Sequence, residues 1–145
     1  MLEVIVRTSH LDLMGHVNNA KYVEFLEWGR CDELEKIGID LLSMIREGTG
    51  MAVVNLNINF RREAFYGDHL LIETTLKEIR NQKIGILQQS ITRKASGEVV
   101  CDAEVTFLFL DLKAHKSIAM PENFRRLLPD ASVSKTETPN PDTNA

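Results

Sequence analysis

The chain is poor in the residues that define special architectures. Two of its 145 residues are cysteine, Cys31 and Cys101, far apart in sequence. They make no CxxC pair and no zinc spacing, which excludes a disulfide scaffold and reads as reduced thiols in a cytoplasmic protein. No apolar run approaches the roughly 18 residues of a membrane span. The opening Met1-Leu2-Glu3-Val4-Ile5-Val6-Arg7 lacks a basic stretch followed by a long apolar core, so no signal peptide is expected. There is no excess of positive charge either. Seventeen basic residues against 21 acidic ones leave a net charge of −4, which argues against a general nucleic-acid or anionic-membrane binder.

What is present suits one soluble domain, since 145 residues bury one sizeable core and two would be crowded. Residues 2–9 carry Val4, Ile5 and Val6 and read as a strand. A polar stretch over 9–19 ends in Asn18-Asn19, good helix caps, and a helix is predicted from there to about Ile37, with Gly38 as its stop. Its first half has Ala20, Tyr22, Val23, Phe25, Leu26, Trp28 and Cys31 on nearly all sides, which predicts a largely surrounded helix. A short helix is expected over 41–46. Val54, Leu56, Ile58 and Phe60 then alternate with Asn55, Asn57, Asn59 and Arg61, the period of a half-buried strand. Its three asparagines fit either a wet outer face or a polar interface with another subunit. Segments 69–80, 83–93 and 98–111 read as three further strands joined by hairpins. A short helix is expected over 121–128. The domain is placed at 1–129, and 130–145, rich in Ser, Thr, Pro, Asn and Asp, as a disordered tail. This order predicts an α+β fold in which five or six antiparallel strands curl around one helix.

Chemistry concentrates in His10-Leu11-Asp12-Leu13-Met14-Gly15-His16-Val17-Asn18-Asn19, the loop that feeds the long helix. A helix start offers free N–H groups and partial positive charge, which can stabilise an oxyanion. A carboxylate beside it can serve as base or nucleophile. The combination fits attack on an activated carbonyl such as a thioester. The plainer alternative makes Asp12 and Asn18 a loop and a cap residue and His16 a structural histidine. His10, Asp12 and His16 lack the helical spacing of an HExxH metal pair, so no metal site is expected.

The run Asp12-x-x-Gly15-His16-Val17-Asn18-Asn19-Ala20-x-Tyr22-x-Glu24-Phe25-Leu26-Glu27 resembles the hotdog-fold acyl-CoA thioesterases of the 4-hydroxybenzoyl-CoA thioesterase class. Val53 to Arg62, Lys83 to Gln89 and Asp102 to Phe107 bring the likeness nearest to the long-chain acyl-CoA branch of that class, and it spans about 3–128. The resemblance implies a curled five- to six-stranded sheet wrapped around a central helix, in a homodimer or homotetramer with its active sites at the dimer interface. It implies Asp12 as catalytic base or nucleophile, the Asn19 N–H facing the thioester oxygen, and His16 as an orienting or polarising group. Gly15, Asn18 and Tyr22 of the motif, with Arg61 and Arg62, are the substrate-binding candidates. The substrate is then a medium- or long-chain fatty acyl-CoA, and no metal or redox cofactor is needed. Two departures stand out. Met14 occupies the position of the Asn in the Asp-Asn-His set of the plant acyl-carrier-protein thioesterases, and Gly15 stands where the long-chain branch commonly has Gln.

Some hotdog enzymes use a helix Glu as base, which brings Glu24 and Glu27 into consideration beside a solvated or salt-bridged role. Arg93 and Lys94 join Arg61 and Arg62 as candidate contacts for the coenzyme phosphates. Trp28, Phe25 and Leu26 are candidates for an acyl slot or for plain core. Two other functions compete: a hotdog dehydratase acting on 3-hydroxyacyl thioesters, and a non-catalytic acyl-CoA-binding module.

Overall fold

The period-two pattern of the second half is the pattern of the sheet. The computed structural model describes residues 1–125. Strand β1 (Leu2–Ile5) leads through a 3-10 turn (Thr8–His10) to helix α1 (Asn19–Lys36) and the short helix α2 (Leu41–Arg46). Strands β2 (Thr49–Phe60), β3 (His69–Arg80), β4 (Ile84–Arg93), β5 (Val99–Asp111) and β6 (Lys116–Ile118) follow, then α3 (Glu122–Arg125). The strands form one six-stranded antiparallel sheet in the order β1-β3-β4-β5-β2, with β6 also on β5. The tail expected over 130–145 and the last turn of the helix expected over 121–128 lie outside the described residues.

Alternate residues of each central strand face α1. On β5 these are Cys101, Ala103, Val105, Phe107 and Phe109, all buried; on β3, Leu70, Ile72 and Leu76; on β4, Leu87, Gln89 and Ile91. The core divides in two. One part gathers Val17, Tyr22, Phe25 and Leu26 around the start of α1, and the other gathers Leu34, Phe107, Phe109 and Phe124 around its end. Gln89 stands between them, and its amide donates to the Leu26 carbonyl at 2.9 Å and the Thr74 hydroxyl at 2.8 Å while its oxygen accepts from Arg30 at 3.1 Å. A buried side-chain amide needs such partners to offset its lost hydration.

Three readings change. The first strand ends at Ile5, and residues 8–10 turn instead of extending. The alternation of β2 breaks at a bulge, where the register passes from Val53↔Phe107 to Asn55↔Thr106 and leaves Val54 over. Leu56 and Ile58 do face the core, but Val54 and Phe60 are exposed. The three asparagines are exposed, and Asn59 donates to Asp102. Finally, α1 is not surrounded by its own chain. It buries Tyr22, Phe25, Leu26, Gly29 and Leu34, while Ala20, Val23 and Trp28 are exposed.

Candidate active site

The loop before α1 is built by local polar bonds. Asp12 Oδ1 accepts from the Met14 N–H at 2.9 Å, and the Asp12 carbonyl accepts from Gly15. Gly15 takes φ +83°, which a side chain would disfavour, so the chain reverses here. The returning strand lets the Asp12 N–H donate to the His16 carbonyl at 2.9 Å, and the Val17 N–H donates to Ala64 at 2.8 Å. Helix α1 then starts, with Asn18 Oδ1 accepting from the Ala20 N–H at 2.9 Å and the Asn18 carbonyl from Lys21. The N–H of Asn19 finds no acceptor among the described residues and remains a free donor at the positive end of an 18-residue helix.

A cleft of about 460 Å³ opens at this point, lined by Asp12, His16, Val17, Asn19, Tyr22, Phe60, Arg61, Arg62 and Glu63. The Asp12 carboxylate and the His16 ring face each other at 3.6 Å (Oδ2 to Nδ1), each about a quarter exposed or less. Tyr22 is buried against Phe25 and Phe60. Burial pushes its phenol up to about 12, and the hydroxyl is bonded to the Ala64 backbone. The two arginines do not stand free. Arg61 is bonded to Asp102, and Arg62 to Glu98 at 2.9 Å.

Six of the eight site candidates thus share one cleft: Asp12, His16, Asn19, Tyr22, Arg61 and Arg62. Gly15 and Asn18 do not line it. Gly15 forms the turn, and Asn18 caps the helix and lines a neighbouring hollow with Leu11, Asp12, Leu13 and Met14. His10 turns away. Its ring accepts from the Arg7 N–H and packs edge-on against Phe25 and Trp28. Glu24 pairs with Lys21 at 2.8 Å, and Glu27 is exposed; neither lines the cleft. Phe25 and Leu26 are core, and Trp28 borders a separate groove beside β1. Arg93 is held by Asp68 and Glu98, and Lys94 by Glu3. Among the described residues, no group of three or more His, Cys, Asp or Glu side chains is placed to hold a metal ion. No described helix is long and apolar enough to cross a membrane. Val17, inside the motif, also lines the cleft though it was not a site candidate, and so do Phe60 and Glu63. Phe60 and Glu63 adjoin Arg61 and Arg62, which was the available signal.

A curled antiparallel sheet over one long helix, with a carboxylate and an open helix-start amide in one cleft, defines a hotdog enzyme of the thioester hydrolase kind. Residues 6–128 match the model of the thioesterase-like superfamily, and the chain belongs to that family. It is 44% identical over 126 residues to the long-chain acyl-CoA thioesterase FadM of Escherichia coli K12, covering 87% of this chain and 94% of that one. The crystal structure of the probable thioesterase YbaW of Escherichia coli superposes with a TM-score of 0.74 at 44% identity, over 86% of this chain and 92% of that one. A 1,4-dihydroxy-2-naphthoyl-CoA thioesterase from Synechocystis shares the fold, with a TM-score of 0.82 at 19% identity over 90% and 95% of the two chains.

Proposed function

We propose that this thioesterase hydrolyses medium- or long-chain fatty acyl-CoA to free fatty acid and coenzyme A in the cytoplasm. The observation that carries the reading is the open Asn19 N–H beside Asp12 and His16 in one cleft. The thioester oxygen sits on the Asn19 amide, where negative charge develops as the carbonyl carbon is attacked. Asp12 either takes the proton of the attacking water or attacks the carbonyl itself to form an anhydride that water then opens. In both routes the carbon–sulfur bond breaks and the thiolate of coenzyme A leaves. His16 orients the Asp12 carboxylate. Tyr22, Arg61 and Arg62 border the substrate, and coenzyme A enters as part of that substrate, with no metal or redox cofactor. The acyl-chain length rests on the 44% identical relative, named for long-chain acyl-CoA.

The working unit in this reading is a homodimer or a pair of dimers. Strand β2 is one edge of the sheet, and its 12 residues include no charged residue and no proline. Such edges are usually blunted by charge, and an unblunted one favours pairing with a second copy. The cleft residues Phe60 and Arg61 continue that edge, so pairing would set the cleft at the subunit boundary.

The test is thiol release from an acyl-CoA panel, acetyl to palmitoyl plus one aromatic member, with wild type and Asp12→Ala. Release that peaks with long chains and falls about 10²- to 10⁴-fold in the variant supports the reading. A peak on the aromatic member overturns the fatty-acid assignment. Binding without release from any member overturns hydrolysis of acyl-CoA.

A further inference from the structure

Glu63 follows the two cleft arginines, yet it shares neither of their ion pairs. Arg61 is bonded to Asp102 and Arg62 to Glu98. The main chain around Glu63 is clamped from three sides. The Arg61 and Arg62 N–H groups donate to the Val100 carbonyl at 2.9 and 3.1 Å. The Arg93 guanidinium, itself held by Asp68 at 3.3 Å and Glu98 at 2.6 Å, donates to the Glu63 carbonyl. The Ala64 carbonyl accepts from the Val17 N–H at 2.8 Å, which ties this segment to the residue after His16. From that fixed base the Glu63 side chain, 63% exposed, reaches over the cleft. Its Oε1 stands 3.9 Å from His16 Nε2, and no other cationic group lies within ion-pair reach among the described residues.

His16 therefore has a carboxylate oxygen facing each ring nitrogen, Asp12 at Nδ1 (3.6 Å), where the Val17 carbonyl also lies at 3.5 Å, and Glu63 at Nε2 (3.9 Å). We propose that Glu63 is a positioning residue of this cleft, holding the far nitrogen of His16 so that the near nitrogen stays turned to Asp12. The inference rests on the thioesterase reading given above. An imidazole turns easily about its last torsion, and half a turn exchanges its nitrogens for carbons. A partner at one nitrogen fixes which face the other presents. Both distances exceed a hydrogen bond, and contacts of this kind tighten when substrate binds. Phe65 packs edge-on to His16, with ring centres 6.5 Å apart, and limits the ring's translation without selecting its orientation. The Val17 carbonyl marks the near nitrogen, and Glu63 is the group that marks the far one.

The test combines kinetics with nitrogen NMR of the intact protein. Acyl-CoA hydrolysis is measured for wild type, Glu63→Gln, Glu63→Asp, His16→Ala and the His16→Ala/Glu63→Gln double variant. The His16 ring nitrogens are followed in ¹⁵N-labelled wild type and Glu63→Gln without substrate. We expect Glu63→Gln to lower kcat about tenfold, the scale at which groups that orient a working imidazole act. KM should stay within about twofold. Glu63→Asp should recover part of the loss, and Glu63→Gln should cost nothing further once His16 is gone. The Nε2 signal should move in Glu63→Gln. Losses that add in the double variant, a change confined to KM, or an unmoved Nε2 signal would overturn the proposal. If wild type releases no thiol, the reaction assignment fails, and the Nε2 signal alone then decides the Glu63–His16 contact.

Discussion

Gly29 sets how deeply α1 sits in the sheet, and replacing it with alanine tests that seat. In an exposed helix the change would stabilise by about 1 kcal/mol, because alanine is the better helix former. Here a Cβ at position 29 would stand 2.5 Å from Ile72 Cγ2, 3.3 Å from Thr74 Oγ1 and 3.4 Å from Gln89 Nε2. Ile72 is 1% exposed, and a β-branched side chain in a close-packed core yields little. Overpacking of this kind costs about 1–3 kcal/mol. Pushing the Gln89 amide off Leu26 or Thr74 would cost about 1 kcal/mol more. The clash therefore outweighs the propensity gain, and Gly29→Ala should destabilise by about 1–3 kcal/mol. The assay is urea unfolding, read as a lower midpoint with an unchanged slope. Ile72→Ala supplies the internal control, since it removes the atom that is struck. It should cost about 2–5 kcal/mol alone and measurably less in the Gly29→Ala background. A Gly29→Ala protein as stable as wild type, or two losses that simply add, would show that α1 rides over the sheet without this close seat. The point bears on function because Asn19 lies ten residues back along the same rod, about 15 Å away. Lifting the helix at Gly29 tilts the amide that faces the cleft.

Two further outcomes follow from the same contacts. Asn18→Ala removes the side-chain acceptor of the Ala20 N–H and should lower stability by about 1 kcal/mol, with Asn18→Asp close to wild type; thermal unfolding of the three proteins checks it. The Arg61 guanidinium beside Asp102, with a second bond from Asn59, holds the Asp102 carboxyl below its ordinary range. A carboxyl depressed on folding adds stability above its unfolded value, and that stability is lost as pH falls through the lowered one. Asp102→Asn should therefore be less stable than wild type at neutral pH, and the gap should close as pH falls below about 4; urea midpoints across that range measure it.

The fold was legible where pattern and punctuation agree. Asn18 and Gly38 bracket α1 in sequence because the first has a short acceptor and the second takes φ +82°. Strands β3 to β5 were legible because they are ten or more residues long, are separated by short turn segments, and carry apolar residues that recur every second position, most regularly from Cys101 to Phe109 on β5. The bulge in β2 was not, because Val53 and Val54 are both β-branched and apolar, and either one could be the inward residue. The register of β5 makes that choice, and it lies 50 residues downstream. The exposure of Val23 and Trp28 was hidden for a related reason. Periodicity reports which side chains are apolar and says nothing about whether the same chain covers them.

The site was legible as far as one continuous run of sequence carried it. Asp12, His16 and Asn19 reach the cleft within eight residues, because a tight turn and a helix start leave them little room to be elsewhere. Arg61, Arg62 and Glu63 are a different case. They arrive from the far end of β2, and nothing in Arg-Arg-Glu distinguishes an ordinary strand exit from the wall of a cleft. Their roles are divided by residues more remote still. Asp102 and Glu98 on and before β5 neutralise the two arginines, which leaves the glutamate to face His16. Two ion pairs whose partners lie some 35 to 40 residues apart in sequence thus keep both arginines off the glutamate that faces the imidazole. A motif can bring candidate groups to one cleft, but the charges around them are paired by the sheet.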